Sequence, residues 1–119
     1  MTGTTSVVDF LQAGIKAESL RQKAIANNVA NLKTPGYRRI AVKFEQLLAE
    51  AMNSRGEADL DQVELELYHP NETAVKSNGN DVSLEVEVGQ MVKNSLRHKT
   101  YIRLLNKMYT QIELAIDSK

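Results

Sequence analysis

Taken at alternating steps of four and three from position 84, the chain gives Leu84, Val88, Met91, Ser95, His98, Ile102, Leu105, Tyr109, Ile112 and Ile116. That spacing lays side chains along one stripe of a helix, so residues 84–116 are predicted to form a single long helix. Gly89 is the one breaker in the stretch, and proline is absent from it. Val82, Leu84, Val86 and Val88 also alternate as a strand would. Ser83 as N-cap, with Glu85 and Glu87 where a helix start favours negative charge, decides for the helix. Its length would be roughly 50 Å, whereas a compact chain of this size is only about 35 Å across. A helix that outruns its own domain needs a partner. Tyr101, Leu104, Met108 and Ala115 widen the apolar arc in its second half, opposite Lys99, Arg103, Asn106 and Lys107. A two-helix seam is narrower than that.

A second helix is predicted over residues 6 to about 31, where only Gly14 interrupts helix-forming residues. Thr4, Thr5 or Ser6 can cap it, and Asp9 suits its positive end. Its apolar residues fall on two faces. Val7, Leu11, Ile15, Ile25 and Val29 form one, interrupted by Glu18 and Gln22; Phe10, Ala13, Ala17, Leu20 and Ala24 form the other. The alanines of the second face let a neighbour approach closely. A helix on a single core needs one apolar side, so two sides predict two neighbours. Burial inside a bundle of its own chain and contact with other chains both satisfy that.

Between the helices the pattern breaks up. Pro35-Gly36 has the residues of a type II turn, and Thr34, preceding proline, is biased away from helix. Asn27 and Asn31 share a face near the helix end, where their amides can cap carbonyls or bridge to another chain. Phe44, Leu47, Leu48, Ala51 and Met52 recur at helical spacing, which predicts a short amphipathic helix over residues 42–52. A polar loop containing Gly56 follows. Val63, Leu65 and Leu67 alternate with Glu64, Glu66 and Tyr68 as in a half-exposed strand, ended by His69-Pro70-Asn71. Residues 73–75 are expected to supply a second, short extended piece, and Asn78-Gly79 marks a sharp turn. The fold class is mainly α. The chain divides into residues 1–37, a small variable middle region at 38–81 containing a short helix and one or two short strands, and residues 82–119.

Composition narrows the function classes. Fifteen acidic and fifteen basic residues balance among 119, and no basic stripe interleaved with aromatics is present, which argues against a nucleic-acid partner. With no cysteine, disulfide frameworks and thiolate metal sites are excluded. The apolar runs are too short to span a bilayer, so no membrane insertion is expected. No basic start followed by a hydrophobic block precedes the first helix, so no cleaved secretion signal is expected.

No catalytic constellation is visible, and no cofactor or metal is expected. His69 stands beside a proline in a loop, and His98 belongs to the long helix stripe as a packed or interfacial ring; neither has a second ligand at metal-binding spacing. Glycines are scattered rather than grouped into a phosphate loop. The acidic pairs Glu64/Glu66 and Glu85/Glu87 are those of a solvated strand face and a helix start. No serine has a neighbouring histidine in sequence to activate it.

The run Asn28-Val29-Ala30-Asn31-Leu32-Lys33-Thr34-Pro35-Gly36-Tyr37, closing the first helix, resembles the signature of the bacterial flagellar rod and hook proteins. In that family the order is Asn, an aliphatic, Ala, Asn, two variable positions, Thr, one variable position, Gly and an aromatic, and each fixed position is met. Gly79-Asn80-Asp81-Val82 is similar to the Gly-Asn-x-Val element that opens the C-terminal helix in proximal rod members, and Asn94-Ser95-Leu96-Arg97 is similar to a later part of that helix. The resemblance covers the two terminal segments and leaves the middle without support. It implies that the two long helices pair as an antiparallel coiled coil, and that copies pack with one another and with other rod proteins into the periplasmic drive shaft around the export channel. It further implies export by the flagellar type III apparatus without a cleaved signal, and proximity to the basal adapter protein FliE, the membrane ring and the export gate. Assembly packing is then expected on Phe10, Leu11, Ile25, Val29, Leu32, Leu96, Ile102, Leu105, Tyr109, Ile112 and Ile116. Asn28, Ala30, Asn31, Thr34, Pro35, Gly36 and Tyr37 would fix the bend. The alternative is a non-flagellar helical hairpin, exported or an adaptor scaffold, that acts by oligomerising as a soluble dimer.

Overall fold

The computed structural model describes residues 2–46, 49 and 65–118. Helix α1 spans Thr2–Ala30 and helix α2 spans Leu84–Asp117, with strands β1 (Ala41–Lys43) and β2 (Glu66–Tyr68) between them. The two helices run antiparallel side by side. Asn28 of α1 meets Glu87 of α2 at 3.0 Å near one end, and Gln12 Nε2 donates to the Tyr109 hydroxyl at 3.2 Å toward the other. The Cα envelope measures 66 × 29 × 15 Å, so the chain is elongated and flat.

Both helices follow the periodicity. Ser83 caps α2 from an extended backbone and accepts a hydrogen bond from Val86 N, and the Ser118 N–H donates to Leu114 O at the far end. Helix α1 begins at Thr2 rather than at residue 6. The threonines and Gly3 lower its propensity, but by amounts too small to stop a helix already nucleated.

The middle region departs further from expectation. Val42 and Lys43 belong to a strand rather than to the start of a helix, because β1 pairs with β2 in antiparallel register, Ala41 opposite Tyr68 and Lys43 opposite Glu66. Helical backbone is present at Glu45, Gln46 and Ala49. Leu47, Leu48, Ala51, Met52, the loop with Gly56, Val63 and Glu64 lie outside the described residues. Residues 73–75 form no strand; Thr73 instead donates its hydroxyl to Asp81 O at 2.5 Å.

The two faces of α1 are both used within the chain. One packs Phe10, Ala13 and Ala17 against Phe44 and Leu65 of the middle region, with Ala17 and Phe44 fully buried. The other faces α2 through Leu11, Gly14, Glu18, Arg21, Ile25 and Asn28, at steps of three and four. The second neighbour of α1 is therefore its own β-ribbon. Along α2 a buried and half-buried row runs through Glu87, Gln90, Asn94, Arg97, Tyr101, Leu105, Met108 and Ile112, with Val86 and His98 half-buried beside it. As far as Tyr101 the row lies about one residue, roughly 100°, from the apolar stripe that the sequence picks out; Leu105 and Ile112 belong to both.

Where the seam turns apolar, a tyrosine sits on a glycine. The Tyr101 ring also meets Phe10 edge to face, centroids 6.1 Å apart. A Cβ on Gly14 would lie 2.8 Å from the Tyr101 ring. Gly14→Ala alone should therefore forfeit the helix-propensity gain of about 1 kcal/mol. In a Tyr101→Ala background the same change should recover it. Urea unfolding of the four chains measures the coupling, expected at about 1 kcal/mol.

Candidate functional site

The two motif segments, far apart in sequence, meet in one elbow at the end of the rod. Tyr37 N donates to Thr34 O at 3.2 Å, and Gly36 takes φ +75°, so Thr34-Pro35-Gly36-Tyr37 is the expected type II turn. Gly79, at φ +84°, stacks on it: Gly36 N donates to Asn78 O at 2.9 Å, and a Cβ on Gly79 would lie 3.3 Å from Gly36 Cα. Neither position accepts a side chain without strain. Gly36→Ala has open space and should cost about 1–2 kcal/mol of conformational energy alone. Gly79→Ala adds a backbone contact and should cost more, as ranked by thermal unfolding of the two variants.

Fully buried Asn28 is the centre of the elbow, and its amide is used at every position. Its Nδ2 donates to Ile40 O at 2.9 Å and to Glu87 Oε1 at 3.0 Å; its Oδ1 accepts from the Tyr37 hydroxyl at 3.0 Å and from Ile40 N at 2.9 Å. Asn27 Nδ2 in turn donates to the Tyr37 hydroxyl at 2.7 Å. Burial pushes the Tyr37 phenol above its ordinary pKa, with Glu87 and Asp81 adding in the same direction. Asn31 caps within the chain, donating to Asn27 O at 2.8 Å. Asn80, also fully buried, donates Nδ2 to Asn31 O at 2.9 Å and to Thr34 O at 2.8 Å, satisfying carbonyls left free where α1 ends. Asp81 accepts from Arg39 N at 2.6 Å and pairs with Arg38 Nε at 3.2 Å, the latter an ion pair without hydrogen-bond alignment.

From the elbow a polar row runs into the helix seam. Glu87 takes Arg39 Nε at 2.6 Å in addition to Asn28. One stretch further along, buried Glu18 accepts from Arg97 Nε at 3.0 Å, from Arg21 Nη1 at 2.5 Å and from Asn94 Nδ2 at 3.0 Å. Arg21 also pairs with Glu45. Burial opposes both charges of that pair, yet their mutual contact wins, holding the Arg21 guanidinium above and the Glu45 carboxyl below its ordinary value. Buried carboxylates of this kind contribute little net stability, but each is satisfied only in one register of the two helices. They act as locks on alignment.

The polar seam leaves the apolar side of the first half of α2 outside. Leu84, Val88, Met91, Val92, Leu96 and Ile102 are all exposed, Leu96 at 61%. Of the residues expected to carry assembly, Leu11 and Ile25 lie in the chain's own seam, and Phe10, Leu32, Leu105 and Ile112 are half-buried there or beside it. Val29, Leu96, Ile102, Tyr109 and Ile116 face solvent. Of the motif residues, Ala30, Thr34, Pro35 and Gly36 are exposed, while Asn28, Asn31 and Tyr37 point into the elbow. Sequence reading noted Glu18 as a break in an apolar face, Glu87 as a helix-start charge and Asn94 and Arg97 as part of the resemblance, and gave none of them, nor Arg39, a role in joining the helices. On α2 the signal was the heptad spacing of Glu87, Asn94 and Arg97, which a search for apolar positions passes over. His98 is half-buried on α2, and His69 Nδ1 lies 3.1 Å from Arg39 O. Among the described residues no group of acidic, histidine or cysteine side chains could hold a metal ion, and no helix is long and apolar enough to cross a membrane.

A family model described as flagella basal body rod protein matches residues 9–38, most of α1 and the turn of the elbow. The flagellar basal body rod protein FlgB of Bacillus subtilis strain 168 is 25% identical over 122 residues, covering 94% of each chain. FlgB of Borreliella burgdorferi is 24% identical over 127 residues, covering 92% of this chain and 94% of that one. FlgB of Aeromonas hydrophila is 26% identical over 106 residues, 80% of each. The resemblance carried by the motifs thus holds over nearly the whole chain, and it is to flagellar basal body rod proteins of the FlgB kind.

Proposed function

We propose that this chain, a relative of the FlgB rod proteins, is a structural subunit of the flagellar basal-body rod and works by polymerising through its two long helices. The observation that carries the reading is the open face of α2. The chain exposes 8165 Å², against about 6,500 Å² for a compact monomer of its mass, and apolar side chains line one side of the rod. A face of that kind is costly in water and marks an interface. Neighbouring copies and other rod proteins cover it in the assembled shaft, which transmits torque and surrounds the export channel. At the base of that shaft the neighbours include the basal adapter protein FliE and parts of the membrane ring and export gate. The chain reaches the periplasmic side through the flagellar type III apparatus, keeping its N-terminus. No substrate is turned over; the elbow is a rigid joint rather than an active site.

Deleting the gene should abolish swimming, and the chain should be recovered in purified basal bodies by mass spectrometry. A swimming deletion strain, or basal bodies lacking the chain, would remove the basis for the assignment.

A further inference from the structure

Where the β-ribbon meets α1 and α2, the three leave a cleft of 240 Å³ between them. Buried Ala24 of α1 and Val42 of β1 give it an apolar floor, and Tyr68 and Pro70 close one side. Four cations line it, Arg21, Arg39, Lys93 and Arg97, against one carboxylate, Glu72. The carboxylates that hold Arg39 and Arg97 in place, Glu87 and Glu18, are fully buried and form no part of the lining. They fix the two guanidinium groups without using them up. Arg97 gives Glu18 only its Nε, and Arg39 gives Glu87 its Nε and Nη2. Both Nη groups of Arg97 and Nη1 of Arg39 thus keep N–H groups with no partner among the described residues, and none of these atoms is sealed from solvent. Lys93 stands four positions before Arg97 on α2, and so beside it; it too has no partner among the described residues.

We infer that this cleft docks an extended acidic segment of a partner protein. One carboxylate of the segment enters between Lys93 and Arg97, where a planar guanidinium suits its two oxygens, and the next aliphatic side chain covers Ala24 and Val42. Size selects the backbone, since the cleft takes a few side chains of a strand but not a helix about 10 Å across. Charge selects the peptide over a free anion. Glu18, Glu45 and Glu87 already occupy three of the cations' faces, so the remaining field orients a carboxylate while the apolar floor supplies contact area that phosphate would leave wet. The site lies along the flank of the molecule, is lined by the ribbon as well as the helices, and does not depend on how copies of the chain pack.

The test is an NMR titration of the full-length, isotope-labelled chain with the blocked peptide Glu-Val-Glu-Val-Glu. The Nε–H signals of Arg39 and Arg97 and the backbone signals of Val42 and Lys93 should shift and saturate, and added salt should weaken the binding. Lys93→Glu should lower the affinity about tenfold, and Glu72→Gln should raise it. Lys93 and Glu72 are exposed and hold no partner among the described residues, so neither change removes a contact from the fold; the dispersion of the same spectra checks this. Saturating shifts at the cleft that Lys93→Glu weakens support the site. Absence of saturation, equal binding by Gln-Val-Gln-Val-Gln, or an affinity that Lys93→Glu leaves unchanged overturns it. Inorganic phosphate that shifts the same arginine signals as strongly, and displaces the peptide at equal concentration, overturns the peptide as occupant. Swimming and recovery in basal bodies are measured separately, so failure here leaves the rod reading standing.

Discussion

Leu96→Asp should leave the isolated chain folded and abolish its incorporation into the rod, with complete loss of swimming. Leu96 is 61% exposed on α2, so the substitution removes little packing inside the chain. Its intrinsic helix cost is below about 1 kcal/mol. In an assembled shaft the same position would be covered, and a carboxylate buried there without a cation costs several kcal/mol at every copy. The pairing of outcomes is what discriminates. An ordinary core residue such as half-buried Leu105 would lose folding and assembly together when replaced by Asp, and so could not separate the two roles. Far-UV circular dichroism of the purified variant and a swimming assay of the complemented strain measure both halves.

The second large effect is expected inside the seam. Glu87→Ala should destabilise the chain by about 3–5 kcal/mol, because it leaves the Arg39 guanidinium buried without its counter-charge. Asn28 loses one of its two acceptors at the same step. Against a total stability of roughly 5–15 kcal/mol for a domain, that is enough to loosen the elbow altogether. Glu87→Gln keeps one acceptor oxygen but sets an amide N–H against either Asn28 Nδ2 or Arg39 Nε, so it should recover only part of that loss. Arg39→Ala combined with Glu87→Ala should cost less than the sum of the single changes, since each removes the other's unpaired charge. Denaturant unfolding of the set gives the coupling directly.

These two expectations mark where the fold was legible and where it was not. The start of α2 was readable because Ser83 and the two glutamates after it are local signals, and local chemistry does not depend on the rest of the chain. The Pro35-Gly36 turn was readable for the same reason, and its glycine has the positive φ that the turn requires. The pairing face was not readable from hydrophobicity. Glu18 and Asn28 on α1 dictate polar partners, so α2 turns Glu87, Asn94 and Arg97 inward and its valines and leucines outward. Of the apolar stripe, the chain leaves Leu84, Val88, Met91, Ile102, Tyr109 and Ile116 exposed and half-buries Leu105 and Ile112. Strand β1 was missed because Val42 and Phe44 suit a helix face and a strand face alike, and only Leu67 and its neighbours across the ladder decide between them. The meeting of Gly36 with Gly79, and of Asn80 with the end of α1, follows from contacts more than forty positions apart along the chain. Spacing within either segment carries no trace of it.

The central claim is that the valine and leucine side of α2, left bare in a lone copy, is closed by neighbouring chains in the shaft. A cryo-EM map of isolated basal bodies with this chain traced in the rod tests it most directly. Val88, Val92 and Leu96 should be packed against an adjacent subunit while Glu18 and Glu87 keep their partners within the copy. A map in which that side of α2 stands open to solvent, or in which the two helices part and trade their buried carboxylates for contacts with neighbours, would contradict it.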